Sequence, residues 1–421
     1  MMGNAQKVVP WLVLALLLVF LPVWFNSSFA LTILSRIGIM IIFAIAYNML
    51  LGQGGMLSFG HAVYFGMSGY FTVHFIGGMQ DAATPYFPIS LLPILGGLIG
   101  LILGILIGYV STRRAGTTFA MISLGFGEMF TALTLVLVAF FNGEEGIQAD
   151  RWVGPEPLGI TFGPDIQVYY LIAIWTFIAV AAMFILTKTP FGRVSNAVRD
   201  NPERAEFVGY NTQRVRWLAF ALSSFFAGLA GALYAVNYEH IGFETVSAAT
   251  SGLVLFMVYI GGVRNFLGPI IGAVLITVLD SVLSDFSEAW FLYLGVIFII
   301  TVMFAPEGLA GLIFMHEPIW KAKPALLRAL FVPYLMALGA TLVACVGLIG
   351  LFELFYHVSQ DLVVPDEMNL FGIVTDTASV LPWIVYAVIA GVGLFLCREA
   401  YPRTKMVWDD VISETRAALV Q

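Results

Sequence analysis

Covalent or metal chemistry in this chain would have to come from five histidines, two cysteines and 26 acidic residues. The histidines are scattered, and no pair has zinc-ligand spacing. Cys345 and Cys397 lie in or at the end of apolar runs, so no disulfide framework is indicated. No lysine follows a glycine, which removes the GxxxxGK[ST] phosphate loop and ATP hydrolysis by that route. We therefore expect no catalytic residue, no metal site and no cofactor in the chain itself. The polar groups that stand out are set inside apolar sequence. Ser58 and His61 sit in a glycine series with Gly54, Gly55 and Gly60. Such glycines either break a helix beside a cavity or let helices pack closely with Ser58 bonded to its own backbone. Gly261 and Gly262, followed by Gly268 and Pro269, form a second glycine-interrupted segment. Paired interruptions in two halves of a chain point to a translocation path. Glu128 is the acid nearest the middle of an apolar run; it either faces that path or is neutral and hydrogen-bonded between helices. Asp280, near the end of another run, reads as interfacial.

The elements that must position these groups are spans. Of the 421 residues, 60% are hydrophobic and 11% charged, against about 45–50% and about 25% in soluble domains. That balance excludes a soluble enzyme, a secreted disulfide scaffold and a disordered regulator. The net charge of −7 excludes nucleic acid as a partner. A spanning helix needs about 20 mostly apolar residues. Segments 9–26, 33–51, 56–77, 89–110, 117–141, 167–187, 217–238, 249–263, 267–284, 290–305, 329–352 and 381–397 meet or approach that requirement. The glycine-rich 56–77 and the short 249–263 are candidates for re-entrant or broken helices. With twelve crossings and a cytoplasmic N-terminus, 17 of the 19 basic residues fall on the cytoplasmic side, and only Arg36 and Arg151 fall outside. The outer side takes 15 of the 26 acids, including Asp361, Asp366, Glu367 and Asp376. Residues 1–32 form a signal-anchor-like first span; Ser28-Phe29-Ala30 also permits a cleavage reading.

The longest cytoplasmic loop between spans is 188–216. Asp200, Asn201, Pro202 and Glu203 read as a helix start: an Asx cap, an early proline and a first-turn acid. Gly209 and Asn211 end that helix. Ala205 and Val208 are expected on one face with Phe207 beside them. The loop is either a solvated connection or a docking helix for a soluble partner.

The chain resembles the permease subunits of ABC importers for branched-chain amino acids and, closely related, for urea and short amides. The run Asn48 to His61 (NMLLGQGGMLSFGH) resembles that family's glycine-rich block. Thr118 to Glu128, after Arg113 and Arg114, resembles the span that follows its basic loop. Pro190 through Asp200 and Asn201 to Gly209 resembles its coupling loop, with Glu203, Arg204, Ala205 and Gly209 close to the EAA-x-x-x-G motif; the second position departs. Phe225 to Tyr234, Gly261-Gly262 with Gly268-Pro269, and Phe304 to Gly308 complete the match over roughly 33–315.

The resemblance implies an all-α polytopic membrane protein with a core of about ten spans and glycine-broken helices. It implies a second permease subunit, two ATPases that hold the ATP, and an extracytoplasmic substrate-binding protein. Asp200, Asn201, Glu203, Ala205 and Gly209 would couple the ATPases to the spans. Gly54, Gly55, Ser58, Gly60, His61, Glu128, Gly261 and Gly262 are the candidate pathway or broken-helix residues. The chain then extends past the family's usual end, with two further spans and a charged tail over 316–421. That tail either touches the ATPase or is a solvated amphipathic helix. An ion-coupled secondary transporter is the rival of another class, but Glu128 is nearly alone as a buried acid.

Overall fold

The computed structural model describes residues 4–81, 87–153, 159–287, 289–359, 367–377 and 379–420. Asp361 and Asp366 lie outside these residues. A helix occupies each of the twelve expected segments. Seven helices among the described residues are long and apolar enough to cross a membrane, or eight if Trp290–Phe304 and Gly308–Ala322 count as one broken span. The chain divides into two compact units, Met1–Val282 with Leu294–Gly311, and Leu283–Tyr293 with Leu312–Gln421.

In the first unit the helices are α1 (Asn4–Trp24), α2 (Ser28–Asn48), α3 (Ala62–Gln80), α4 (Leu92–Ser111), α5 (Thr117–Val136), α6 (Val138–Phe141) and α7 (Asp165–Lys188). They continue with α8 (Pro190–Asp200), α9 (Pro202–Phe207), α10 (Thr212–Tyr238) and α11 (Ala248–Gly261). Then follow α12 (Gly268–Phe286), α13 (Trp290–Phe304) and α14 (Gly308–Phe314), each of which runs across a boundary between the units. α10 is the central element, buried along most of its length by α2, α3 and α4. Its closest neighbour is α4, whose Gly96, Gly100, Gly104 and Gly108 recur every fourth residue on one face. Water is absent from the bilayer core, so helices there associate by close packing of small residues rather than by hydrophobic transfer. A Cβ on Gly96 would meet Gly228 O at 2.7 Å, and one on Gly100 would collide with Ser224 O.

Both basic residues on the expected outer side are paired. Arg36 on α2 forms a salt bridge with Asp280 on α12, and Asp280 is buried. Asp280 is thus half of an interhelical ion pair, because a buried carboxylate needs a counter-charge. Arg151 is buried and donates to Phe162 O at 2.8 Å, Gly163 O at 2.9 Å, Asn237 O at 3.0 Å and Asp165 Oδ1 at 3.1 Å. It ties the loop after the short strand β1 (Ile147–Gln148) to the start of α7 and the end of α10, where β1 pairs with β2 (His240–Ile241).

The second unit contains α15 (Glu317–Ala322), α16 (Leu327–Ser359), the hairpin of β3 (Glu367–Leu370) and β4 (Ile373–Asp376), and α17 (Val380–Val420). α16 and α17 run antiparallel, with Gly347 against Ala390 and Gly393 against Ala344. Between the two expected readings of the tail, the structure adds a third. Its helix packs through Val411 on Ile319 and Leu330, with Trp408 and Ile412 beside them.

Replacing Gly100 with Val should destabilise the α4–α10 contact by about 1–3 kcal/mol. Gly77, whose Cβ would meet nothing within 4 Å, should accept Ala with little effect. Thermal unfolding of the two variants in detergent checks the contrast.

Candidate translocation and coupling site

α2 does not end cleanly. Met49–Gln53 form a π-helical turn, Gly55 takes φ +66°, and regular helix resumes only at Ala62. Wide turns of this kind concentrate at functional sites. The irregular backbone between them must find partners, since lipid offers none. Phe59 N–H donates to Ser123 Oγ on α5, and Ala62 N–H donates to Ser251 Oγ on α11, both at 3.0 Å. Tyr47 donates its hydroxyl to Ser58 O at 2.7 Å. Gly60 lies on the α5 backbone at Ser123 and Gly127, where any side chain would clash.

His61 is fully buried. Its ring stacks on Phe43 and meets the edge of Tyr47. Ser223 on α10 donates to Ala46 O at 2.6 Å and lies 3.0 Å from His61 Nε2. A hydroxyl has one proton, so Ser223 accepts from Nε2–H, and the buried Nδ1 is the bare nitrogen. Nδ1 and Ser58 Oγ find no hydrogen-bond partner among the described residues. Ser58 is therefore not bonded to its own backbone. His61 packs inside the chain and joins the break to α10.

The second glycine pair makes a knot. Gly262 adopts φ +117° as α11 ends, and Gly308 adopts φ +66°. A Cβ on Gly308 would collide with Gly262, and one on Gly261 with Gly268 O. Two stretches that are far apart along the chain, Gly261 to Gly268 and Gly308, thus meet backbone to backbone.

The 188–216 stretch holds two helices where one was expected. The additional helix, α8, starts at Thr189, whose hydroxyl faces Gly192 N at 3.4 Å, with Pro190 in the first turn. That Thr-Pro start was the signal missed in the sequence. Asn201 caps α9 by accepting from Arg204 N–H at 2.9 Å, and Glu203 lies in its first turn. Asp200, at the end of α8, pairs with Arg199 at 2.8 Å. Gly209, at φ +97°, closes a Schellman turn: Gly209 N–H donates to Glu206 O and Tyr210 N–H to Ala205 O. The expected common face splits, because Ala205 points inward at 6% exposure while Phe207 and Val208 are 90% and 72% exposed. A six-residue helix with this turn rotates Val208 away from Ala205.

Both helices are fastened to the spans. Arg199 on α8 donates to Gly52 O in the π turn and covers Gly55, and Ser195 Oγ reaches Gln53 O at 3.4 Å. Thr212 at the start of α10 donates to Glu206 on α9 at 2.6 Å. The loop residues and the broken-helix residues, read separately from sequence, are thus in direct contact through Arg199.

The family model described as branched-chain amino acid transport system / permease component matches residues 29–305. The chain belongs to this permease family. It is 27% identical over 295 residues to the high-affinity branched-chain amino acid transport system permease protein LivM of Salmonella typhimurium, covering 64% of this chain and 67% of that protein. It is also 27% identical over 299 residues to LivM of Escherichia coli, with the same coverage. A probable branched-chain amino acid transport permease protein LivH of Methanocaldococcus jannaschii is 25% identical over 248 residues, 54% of this chain and 75% of that protein. No solved structure matches the chain.

In this permease Glu128 stands apart from the His61 cluster. α5 turns Ser123 and Gly127 toward Gly60, and exposes Met121, Gly125, Glu128 and Ala132 along its other side. Glu128 makes no interhelical hydrogen bond among the described residues, so the neutral bridging alternative does not hold within this chain. Ser123, Ser251, Ser223 and Arg199 hold the candidate site together and were not singled out by sequence reading. The first three look like ordinary small helix residues, and only the fold shows which backbone groups they satisfy.

Ser251→Ala should destabilise the permease by about 1–3 kcal/mol because it strands the buried Ala62 N–H, and Ser123→Ala, which strands the part-buried Phe59 N–H, by less. Thermal unfolding in lipid nanodiscs checks this; no loss for either would mean that the break finds other partners.

Proposed function

We propose that the permease is the membrane-spanning subunit of an ATP-driven importer for branched-chain amino acids, with a second permease subunit completing the pathway. Separate ATPase subunits hold the ATP and dock on α9. A substrate-binding protein delivers the amino acid at the outer face. The charge distribution supports cytoplasmic N- and C-termini, which puts α8 and α9 on the ATPase side. Residues 33–315 are the permease core and 316–421 an added segment.

The observation that carries this reading is the exposed Phe207–Val208 knuckle on helices that are fastened to the π turn and to α10. Two large apolar side chains held on a capped, Gly-closed turn suit a pocket in a soluble partner. A push on α9 reaches α10 through Glu206 and Thr212. A push on α8 reaches the break through Arg199. Exposed Glu128, Met121 and Gly125 face either the pathway or the second subunit, because an uncompensated carboxylate toward lipid is costly.

Proteoliposomes holding the whole complex should take up leucine, isoleucine or valine with ATP and the binding protein, and vanadate should stop it. Uptake that collapses with a proton or sodium ionophore while ATP remains would overturn the reading in favour of ion coupling; uptake of urea alone would overturn the substrate.

Phe207→Asp should weaken ATPase association by about tenfold or more while the permease still folds. Gly209→Val meets no neighbour within 4 Å but must adopt φ +97°, so it should distort the knuckle at a cost of about 1–3 kcal/mol. Co-purification of the ATPase with each variant measures both effects.

A further inference from the structure

A polar crevice of about 280 Å³ opens where the end of α2, the end of α7, α8 and the glycine knot come together. Its walls include Asn48 and Gln53 from the break, Lys188 and Asn196 from the coupling stretch, and Arg199 and Arg264. No acid lines it. Asn48 is 4% exposed, yet its Oδ1 has no hydrogen-bond partner among the described residues; on the half-buried Asn196 the Oδ1 atom is likewise without one. A buried side-chain amide without a partner marks a place where something polar belongs. An amide oxygen accepts, so both asparagines suit a hydroxyl of a headgroup while the cations suit its phosphate.

The cations divide by duty. Arg199 is already engaged with Gly52 O and Asp200. Lys188 has no carboxylate partner among the described residues, and its ammonium lies 5.1 Å from the centre of the Phe184 ring. Arg264 faces Glu307 at 3.7 Å, but the two side chains are 79% and 61% exposed, and a pair that open is weak. Lys188 and Arg264 are therefore free to hold an anion. One wall is aromatic: Phe184 packs edge-on against Phe266 and against Trp11 of α1. A cationic recess with an apolar side, at the end of two spans, matches a phosphate that carries an acyl chain.

We propose that this crevice is a phosphate-binding site, filled by the headgroup of an anionic phospholipid, that joins the break, α8 and the knot. The inference concerns binding and does not depend on the transported substrate. Its test uses the purified full complex, with native mass spectrometry to count bound lipid and thermal unfolding to read stabilisation. Phosphatidylglycerol in phosphatidylcholine nanodiscs should stabilise the complex relative to phosphatidylcholine alone, with lipid retained on the permease. Lys188→Gln with Arg264→Gln should lower lipid affinity by about fivefold per charge removed. Arg398→Gln with Lys405→Gln, on α17, serves as the control for general charge attraction and should leave the affinity unchanged. In lipid-free detergent, stabilisation by inorganic phosphate that disappears in K188Q/R264Q would keep the phosphate site but assign it to a soluble anion. Equal stability with and without phosphatidylglycerol, together with no response to phosphate, would overturn the proposal. So would a lipid effect that K188Q/R264Q leaves intact, or that the α17 control removes equally.

Discussion

Breaking a helix inside a membrane exposes peptide groups that lipid cannot hydrogen-bond. Everything around residues 49–61 answers that one requirement. Ser123 and Ser251 reach in from α5 and α11, Tyr47 caps a carbonyl from within α2, and Arg199 reaches the π turn from α8. Each donor or acceptor belongs to a different helix. The break is therefore stable only while those helices hold their places, and it registers any change in their arrangement.

That dependence gives the fold its mechanical logic. α10 is surrounded by α2, α3 and α4, with glycine on α4 permitting backbone approach. Its first turn is tied to α9, and farther along Ser223 is tied to His61 and Ala46. The same helix touches α9 at its start and the broken segment farther along. Small residues make these contacts stiff, because close-packed backbones leave no side-chain slack.

Much of this was legible in the sequence, for identifiable reasons. Apolar runs about 20 residues long place helices because the bilayer fixes their length, and all twelve segments contain one. Gly209 and Asn201 announced their cap and turn because those roles depend on local backbone geometry. Gly261, Gly262 and Gly308 were visible as glycines, but their meeting is a long-range fact that no local pattern carries. A polar side chain among glycines marks His61 in the sequence; the contacts of its ring with Phe43 and Tyr47 come from tertiary packing. Phe207 and Val208 were assigned to Ala205's face by helical spacing, which stops applying once the helix ends after six residues.

The helix α17 runs for 41 residues, with Pro402 inside it. At 1.5 Å per residue that is ~60 Å, about twice the thickness of the hydrocarbon layer. A single rod therefore contains both the apolar run ending at Cys397 and the charged run from Arg398 onward. Its far half is clamped at Val411 by Ile319 and Leu330. The C-terminal segment is thus a strut with a buttressed foot, and Pro402, which cannot donate to the preceding turn, lies between that foot and the apolar half.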